Sequence, residues 1–221
     1  MEQETKPYQP TNKIRFITAT SLYDGHDAAI NIIRRILLSS GAEVIHLGHN
    51  RSVDEIVNAA IQEDVQGIAV SCYQGGHMEF FKYLMDLLKK RGAAHIKVFG
   101  GGGGVILPRE IAELHKYGVG RIFSPEDGRN LGLQGVINLM LKACDFELKP
   151  DIKKALSKFK TRETGAVNAL ISAFERAAAG STVKELPEIR KALGNAKGGP
   201  AVVGITGTGG AGKSSLIDDL V

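Results

Sequence analysis

Cysteine is scarce in this chain. Cys72 and Cys144 are the only two, which leaves no disulfide framework and no zinc motif. A reduced, cytoplasmic setting is the default expectation. No apolar run reaches the length of a membrane-spanning helix, so no membrane partner is expected. Residues 1–12 read as a polar, flexible start that carries Glu2 and Glu4 and lacks the apolar stretch of a signal peptide. Charge is nearly balanced, with 28 Lys and Arg against 24 Asp and Glu. The small basic surplus gathers in residues 149–162 and 184–197, where it reads as solvated helix faces, not as a nucleic-acid surface. Tryptophan is absent, whereas glycine is abundant at 27 residues. Many of those glycines end apolar runs, as the tight strand-to-helix turns of an α/β protein require. An apolar content of 43% is enough for a sizeable core.

From residue 13 to 144, strand and helix signals alternate. Residues 14–19 (IRFITA) read as a strand and 27–40 as a helix, with Ile30, Ile33, Ile36 and Leu37 on one face. Gly41 ends that helix. A strand follows at 43–47, then Ser52 and Glu55 make a capping-box pattern before a helix reaching Asp64. Further pairs are predicted at 67–71 and 78–91, at 96–99 and 108–118, and at 121–123 and 127–143. Five such units imply a doubly wound, five-stranded parallel sheet of the flavodoxin-like (Rossmann-like) class, in order 2-1-3-4-5. The switch point then lies between the first and third strands, and ligands bind beyond the carboxyl ends there. Residues 145–200 form a helical linker. Phe174, Ala177 and Ala178 suggest its amphipathic segment, and Gly198-Gly199-Pro200 its end. Residues 201–206 (AVVGIT) read as a new strand, opening a further domain at 201–221 that breaks off at Val221.

Three loops face the crevice: Asp24-Gly25-His26 after the first strand, Ser71-Cys72-Tyr73 after the third, and Gly100-Gly101 after the fourth. An Asp-x-His pair is either a capped helix start or a metal ligand with its orienting carboxylate. Glycines after a strand either admit a bulky group close to the backbone or cradle a phosphate. His46 and His49 read as solvated loop histidines. His77 either borders a cofactor or starts a helix. Cys144 reads as a small buried hydrophobe. The first strand ends in Thr and Ser, not in the paired Asp of a response-regulator pocket.

Together the three loops resemble the B12-binding family, whose pattern is Asp-x-His-x-x-Gly, Ser-x-Leu and Gly-Gly. Here Asp24-x-His26-x-x-Ala29 and Ser71-x-Tyr73 are separated by 41 residues, and 26 more precede Gly100-Gly101. The resemblance spans about residues 13–144. Ala29 stands where the family has Gly, and Tyr73 where it has Leu. Thr20 stands where methylmalonyl-CoA mutases carry a Lys. The resemblance implies that His26 binds the cobalt of cobalamin and that Asp24 bonds its other nitrogen, with Gly25 between them. It further implies that Ser71, Tyr73, Gly100 and Gly101, with Ser124 after the fifth strand, line the slot for the displaced nucleotide tail.

Gly207-Thr208-Gly209-Gly210-Ala211-Gly212-Lys213-Ser214 fits the P-loop pattern G-x-x-x-x-G-K-[ST], after an expected strand and before a helix. Backbone N–H groups, from Gly207, Gly209, Gly210, Ala211, Gly212 and Ser215, would cradle phosphates. Lys213 would meet the β/γ-phosphates, and Ser214 would hold magnesium. A cobalamin domain followed by a P-loop resembles the fused acyl-CoA mutases, in which a GTPase chaperone comes second and a substrate-binding barrel last. That resemblance implies an adenosylcobalamin-dependent isomerase of a branched acyl-CoA, with GTP and Mg²⁺, working as a homo-oligomer. The acyl-CoA would be met through a barrel outside this sequence, so these residues alone would bind cobalamin and turn nothing over. The alternatives are a corrinoid carrier for a methyltransferase and a cobalamin-based sensor.

Overall fold

The computed structural model describes residues 5–148, 151–159, 161, 163–194, 204–206 and 212–220. Five strands, β1 (Arg15–Ser21), β2 (Glu43–Arg51), β3 (Gly67–Ser71), β4 (Lys97–Gly101) and β5 (Arg121–Phe123), form one parallel sheet in order β2-β1-β3-β4-β5. The alternation of side chains along each strand divides the core into two layers. Ile17, Ala19, Ile68, Val70 and Val98 face α2 (Val53–Gln62), α3 (His77–Lys90) and α4 (Pro108–Tyr117). Phe16, Ala69 and Phe99 face α1 (Ala28–Ser39) and α5 (Pro125–Cys144). Each large side chain so buried contributes about 1.5–3 kcal/mol. Of the expected face of α1, Ile30 and Leu37 are buried, while Ile33 and Ile36 pack at its edge.

Local chemistry sets the helix ends. Ser52 Oγ accepts from Glu55 N, and Glu55 Oε2 accepts from Ser52 N at 2.8 Å, so the capping box forms as expected. Gly118 closes α4 at φ +116°. Helix α5 differs from the uninterrupted one expected at 127–143. It starts at Pro125 and is broken at Gly132, whose φ of 65° and ψ of 169° no helix accommodates. Strand β2 is also longer than expected, reaching Arg51 through register shifts opposite Thr18–Ser21. His49 therefore lies in a strand, not a loop, together with His46, which the expected strand already covered. His46 Nδ1 sits 2.9 Å from Thr18 Oγ1, its partner in register.

The helical segment carries its own small core. Ile152 and Ala155 of α6 (Ile152–Phe159), Ala166, Leu170 and Ala173 of α7 (Thr164–Ala178), and Ile189 of α8 (Leu186–Leu193) pack together. Phe174 of the expected amphipathic segment packs against this core, Ala177 is half-buried and Ala178 is exposed, so the stripe extends further toward the N-terminus of α7. Ser172 Oγ donates to Asp64 Oδ2 at 2.7 Å, tying α7 to the end of α2. Residues 8–12, read from the sequence as flexible, are tied down as well. The Asp145 carboxylate accepts from Tyr8 Oη, Thr11 N and Asn12 N at 2.8–2.9 Å. Of the strand expected at 201–206, residues 201–203 lie outside the described residues and 204–206 are not strand. No helix among the described residues is long and apolar enough to cross a membrane.

Candidate functional site

The carboxyl ends of β1, β3 and β4 bring the three loops together. Asp24 is wholly buried, whereas the His26 side chain is 70% exposed. Asp24 Oδ1 accepts from His26 N at 2.9 Å and lies 2.8 Å from His26 Nδ1. Asp24 Oδ2 accepts from Tyr73 N at 2.5 Å. The carboxylate thus joins the β1 and β3 loops and does not cap α1, whose N-cap is Asp27. Burial pushes the Asp24 carboxyl up, but the N–H groups of His26 and Tyr73 and the His26 ring together hold it below its ordinary value. With Nδ1 engaged by the carboxylate, Nε2 is the ring nitrogen left to meet a ligand. This is the arrangement that a metal ligand with an orienting carboxylate requires.

Backbone strain accompanies the loop. Tyr23 takes φ +65°, a conformation that costs a bulky residue about 1–2 kcal/mol. Its N–H donates to Asn50 Oδ1 at 2.7 Å, and its ring stands 82% exposed. Nothing in the sequence pattern marks Asn50. Gly25 faces open space: a side chain there would meet no atom within 4 Å. A large flat group can therefore approach this backbone.

Beside the loop, between α1 and α5, opens a cavity of about 280 Å³. Ser71, Tyr73, Gly100, Gly101 and Ser124 all line it, with walls that include Ile33, Phe99 and Met140. No charged residue lines it. Ser71 Oγ is buried and has no hydrogen-bond partner among the described residues. A site of apolar walls with a few polar groups fits a planar, neutral ring system. Ser124 also caps α5, where its Oγ accepts from Asp127 N at 3.1 Å.

The glycines have separate tasks. A side chain on Gly100 would overlap Phe81 and Ile122 on the opposite face, so Gly100 serves packing and meets the cavity only through its backbone. Gly101 has room on the cavity side, with Phe123 O the nearest atom at 3.5 Å. Gly102 and Gly103, unassigned from the sequence, are the demanding ones. A Cβ on Gly102 would overlap the Cys72 carbonyl, where Cys72 N bonds Gly101 O at 2.8 Å. Gly103 takes φ +57° under the Tyr73 ring. The five-glycine run was the signal, but it did not say which glycine was needed.

Other singled-out residues fall elsewhere. His77 begins α3, and its Nε2 lies 2.9 Å from Glu110 Oε2 of α4, outside the cavity. Cys72 and Cys144 are both buried and free. Of the phosphate-binding pattern, Gly207, Gly209, Gly210 and Ala211 lie outside the described residues. Gly212 takes φ +76°, and Lys213, Ser214 and Ser215 open α9 (Lys213–Leu220).

The B12 binding domain model matches residues 14–130. A fused isobutyryl-CoA mutase from Geobacillus kaustophilus is 61% identical over 217 residues, which cover 97% of this chain and 20% of that protein. Its namesake from Cupriavidus metallidurans is 58% identical, over 96% of this chain and 19% of that protein. The 2-hydroxyisobutanoyl-CoA mutase small subunit of Aquincola tertiaricarbonis is 38% identical, over 48% of this chain and 76% of the subunit. The chain spans about a fifth of the length of the fused relatives it matches.

Proposed function

The chain belongs to the B12-binding domain family, and on that premise we propose that it is the cofactor-holding part of an adenosylcobalamin-dependent acyl-CoA mutase fused to a P-loop GTPase. The observation that carries this reading is the Asp24–His26 pair, with a buried carboxylate on Nδ1 and an exposed imidazole. His26 Nε2 would hold the cobalt, and Asp24 would keep the proton on Nδ1. Gly25 would leave room for the corrin ring, and Ser71, Tyr73, Gly101 and Ser124 would enclose the displaced tail. Bound adenosylcobalamin supplies radical chemistry, here for the interconversion of isobutyryl-CoA and n-butyryl-CoA. Two fused relatives carrying that name, each similar over nearly the whole chain, support this substrate.

The phosphate-binding pattern extends the reading. Lys213 and Ser214 would take GTP phosphates and Mg²⁺, within a chaperone that guards cofactor loading. The full protein would work as a homo-oligomer and meet its acyl-CoA through a barrel domain beyond these residues. Residence in the cytoplasm fits two buried cysteines that remain unpaired.

Titration of the chain with cobalamin, followed by absorption spectra and by paramagnetic resonance of the Co(II) form with isotopically labelled histidine, tests this directly. Coupling to a histidine nitrogen that disappears in His26→Ala is the expected result. Retention of the cofactor's own base, or coupling unchanged in His26→Ala, would sink it.

A further inference from the structure

Two buried hydroxyls stand unsatisfied side by side at the switch point. Thr20 is wholly buried and Ser71 is 5% exposed, and neither Thr20 Oγ1 nor Ser71 Oγ has a hydrogen-bond partner among the described residues. They are partners in register across β1 and β3. Register partners in a parallel sheet project from the same face. Two residues back along β1, the partners Thr18 and His46 hydrogen-bond through their side chains. Ser71 lines the 280 Å³ cavity, and Thr20 lies one strand behind it, outside the lining. A buried hydroxyl without a partner is costly to keep, because it has given up water for nothing. Valine would fill the Thr20 position without that cost.

We infer that Thr20 is a positioning residue: from behind Ser71 it orients the Ser71 hydroxyl toward the nucleotide tail of the cofactor, completing hydrogen bonds that the protein alone leaves open. This rests on the cobalamin reading above and adds a residue to the slot it describes. The chemistry of the slot narrows what is recognised. Its walls are Ile30, Ile33, Phe99, Phe123, Val136 and Met140, and it holds no charged side chain. A phosphate or an ionised group would be stranded there. Ser71 Oγ, backed by Thr20, therefore meets a ring nitrogen of a neutral, planar heteroaromatic base.

The test compares Thr20→Val, Ser71→Ala and the double variant for binding of cobalamin and of cobinamide, which has no nucleotide tail. Thr20→Val is expected to weaken cobalamin binding roughly fivefold, the effect of one hydrogen bond, and to leave cobinamide binding unchanged. The double variant should bind cobalamin no more weakly than Ser71→Ala, because Thr20 works through Ser71. The melting temperature without cofactor should hold or rise in Thr20→Val, since an unsatisfied hydroxyl is removed. A fall in that temperature with unchanged cobalamin affinity would mean a structural hydroxyl and overturn the inference. So would equal losses for both ligands, or strictly additive losses in the double variant. If the unmodified chain binds cobinamide and cobalamin with the same affinity, the tail slot itself fails. If it binds neither, the cobalamin reading fails as well.

Discussion

Asp24 and His26 are joined at 2.8 Å from Oδ1 to Nδ1, with the carboxylate wholly buried and the imidazole in the open. The same carboxylate accepts Tyr73 N on its other oxygen. Asp24→Asn cannot serve both, because one amide end is a donor. It faces either a donor on Tyr73 or the proton on Nδ1. Cobalamin affinity is expected to fall about 10- to 100-fold, the usual effect of losing the group behind a metal-bound histidine. A spectroscopic titration of the variant against the unmodified chain measures it.

Gly25 and Gly102 separate a functional glycine from a structural one. Gly25→Ala meets nothing within 4 Å, so the melting curve should shift by less than the equivalent of about 0.5 kcal/mol while cobalamin binding weakens. Gly102→Ala drives a methyl group into the Cys72 carbonyl and should lower stability by about 1–3 kcal/mol, as overpacking does. Denaturant titration with and without cobalamin distinguishes the two. Equal stability losses in both variants would contradict these roles.

Acid should act through carboxylates that titrate low. Asp24, Asp127 and Asp145 are all held below the ordinary Asp value, because N–H and hydroxyl donors outweigh the upward push of burial. Their stabilisation is complete above the unfolded value near ~4 and is lost as pH falls through the lowered folded values. Burial also holds His46, His95 and His115 below the ordinary His value, so urea midpoints should begin to decline below about 6.5 and drop further below about 4. Asp145→Asn should cost about 1–2 kcal/mol at neutral pH, soften the acid limb and speed hydrogen exchange at residues 8–12.

The two thiols should be inert until the chain unfolds. Burial pushes the Cys144 thiol up to about 12 and raises Cys72 in the same direction. An alkylating reagent near pH 8 is expected to modify neither in the native protein and both in denaturant, as peptide mass spectrometry would reveal. Rapid native labelling of Cys144 would contradict its burial at the end of α5.

Much was already determined by the chain alone. Five alternating units, the order of the strands and the loops at the switch point follow from local apolar periodicity and from the handedness of crossovers, which need no long-range information. So do the capping box at Ser52 and the spacing that brings Asp24, Ser71 and Gly100 to one end of the sheet. Tertiary structure decided what depends on contacts between distant residues. It gave Asp24 a second partner in Tyr73, carried β2 through His46 and His49 to Arg51, and broke α5 at Gly132. It turned Gly100 toward Phe81 and made Gly102 the glycine that the Cys72 carbonyl demands. It also left Thr20 and Ser71 unsatisfied together. Sequence spacing records which residues share an element and a face. Whether a buried polar group finds a partner, and which Cβ has no room, is set by atoms that arrive from elsewhere in the chain.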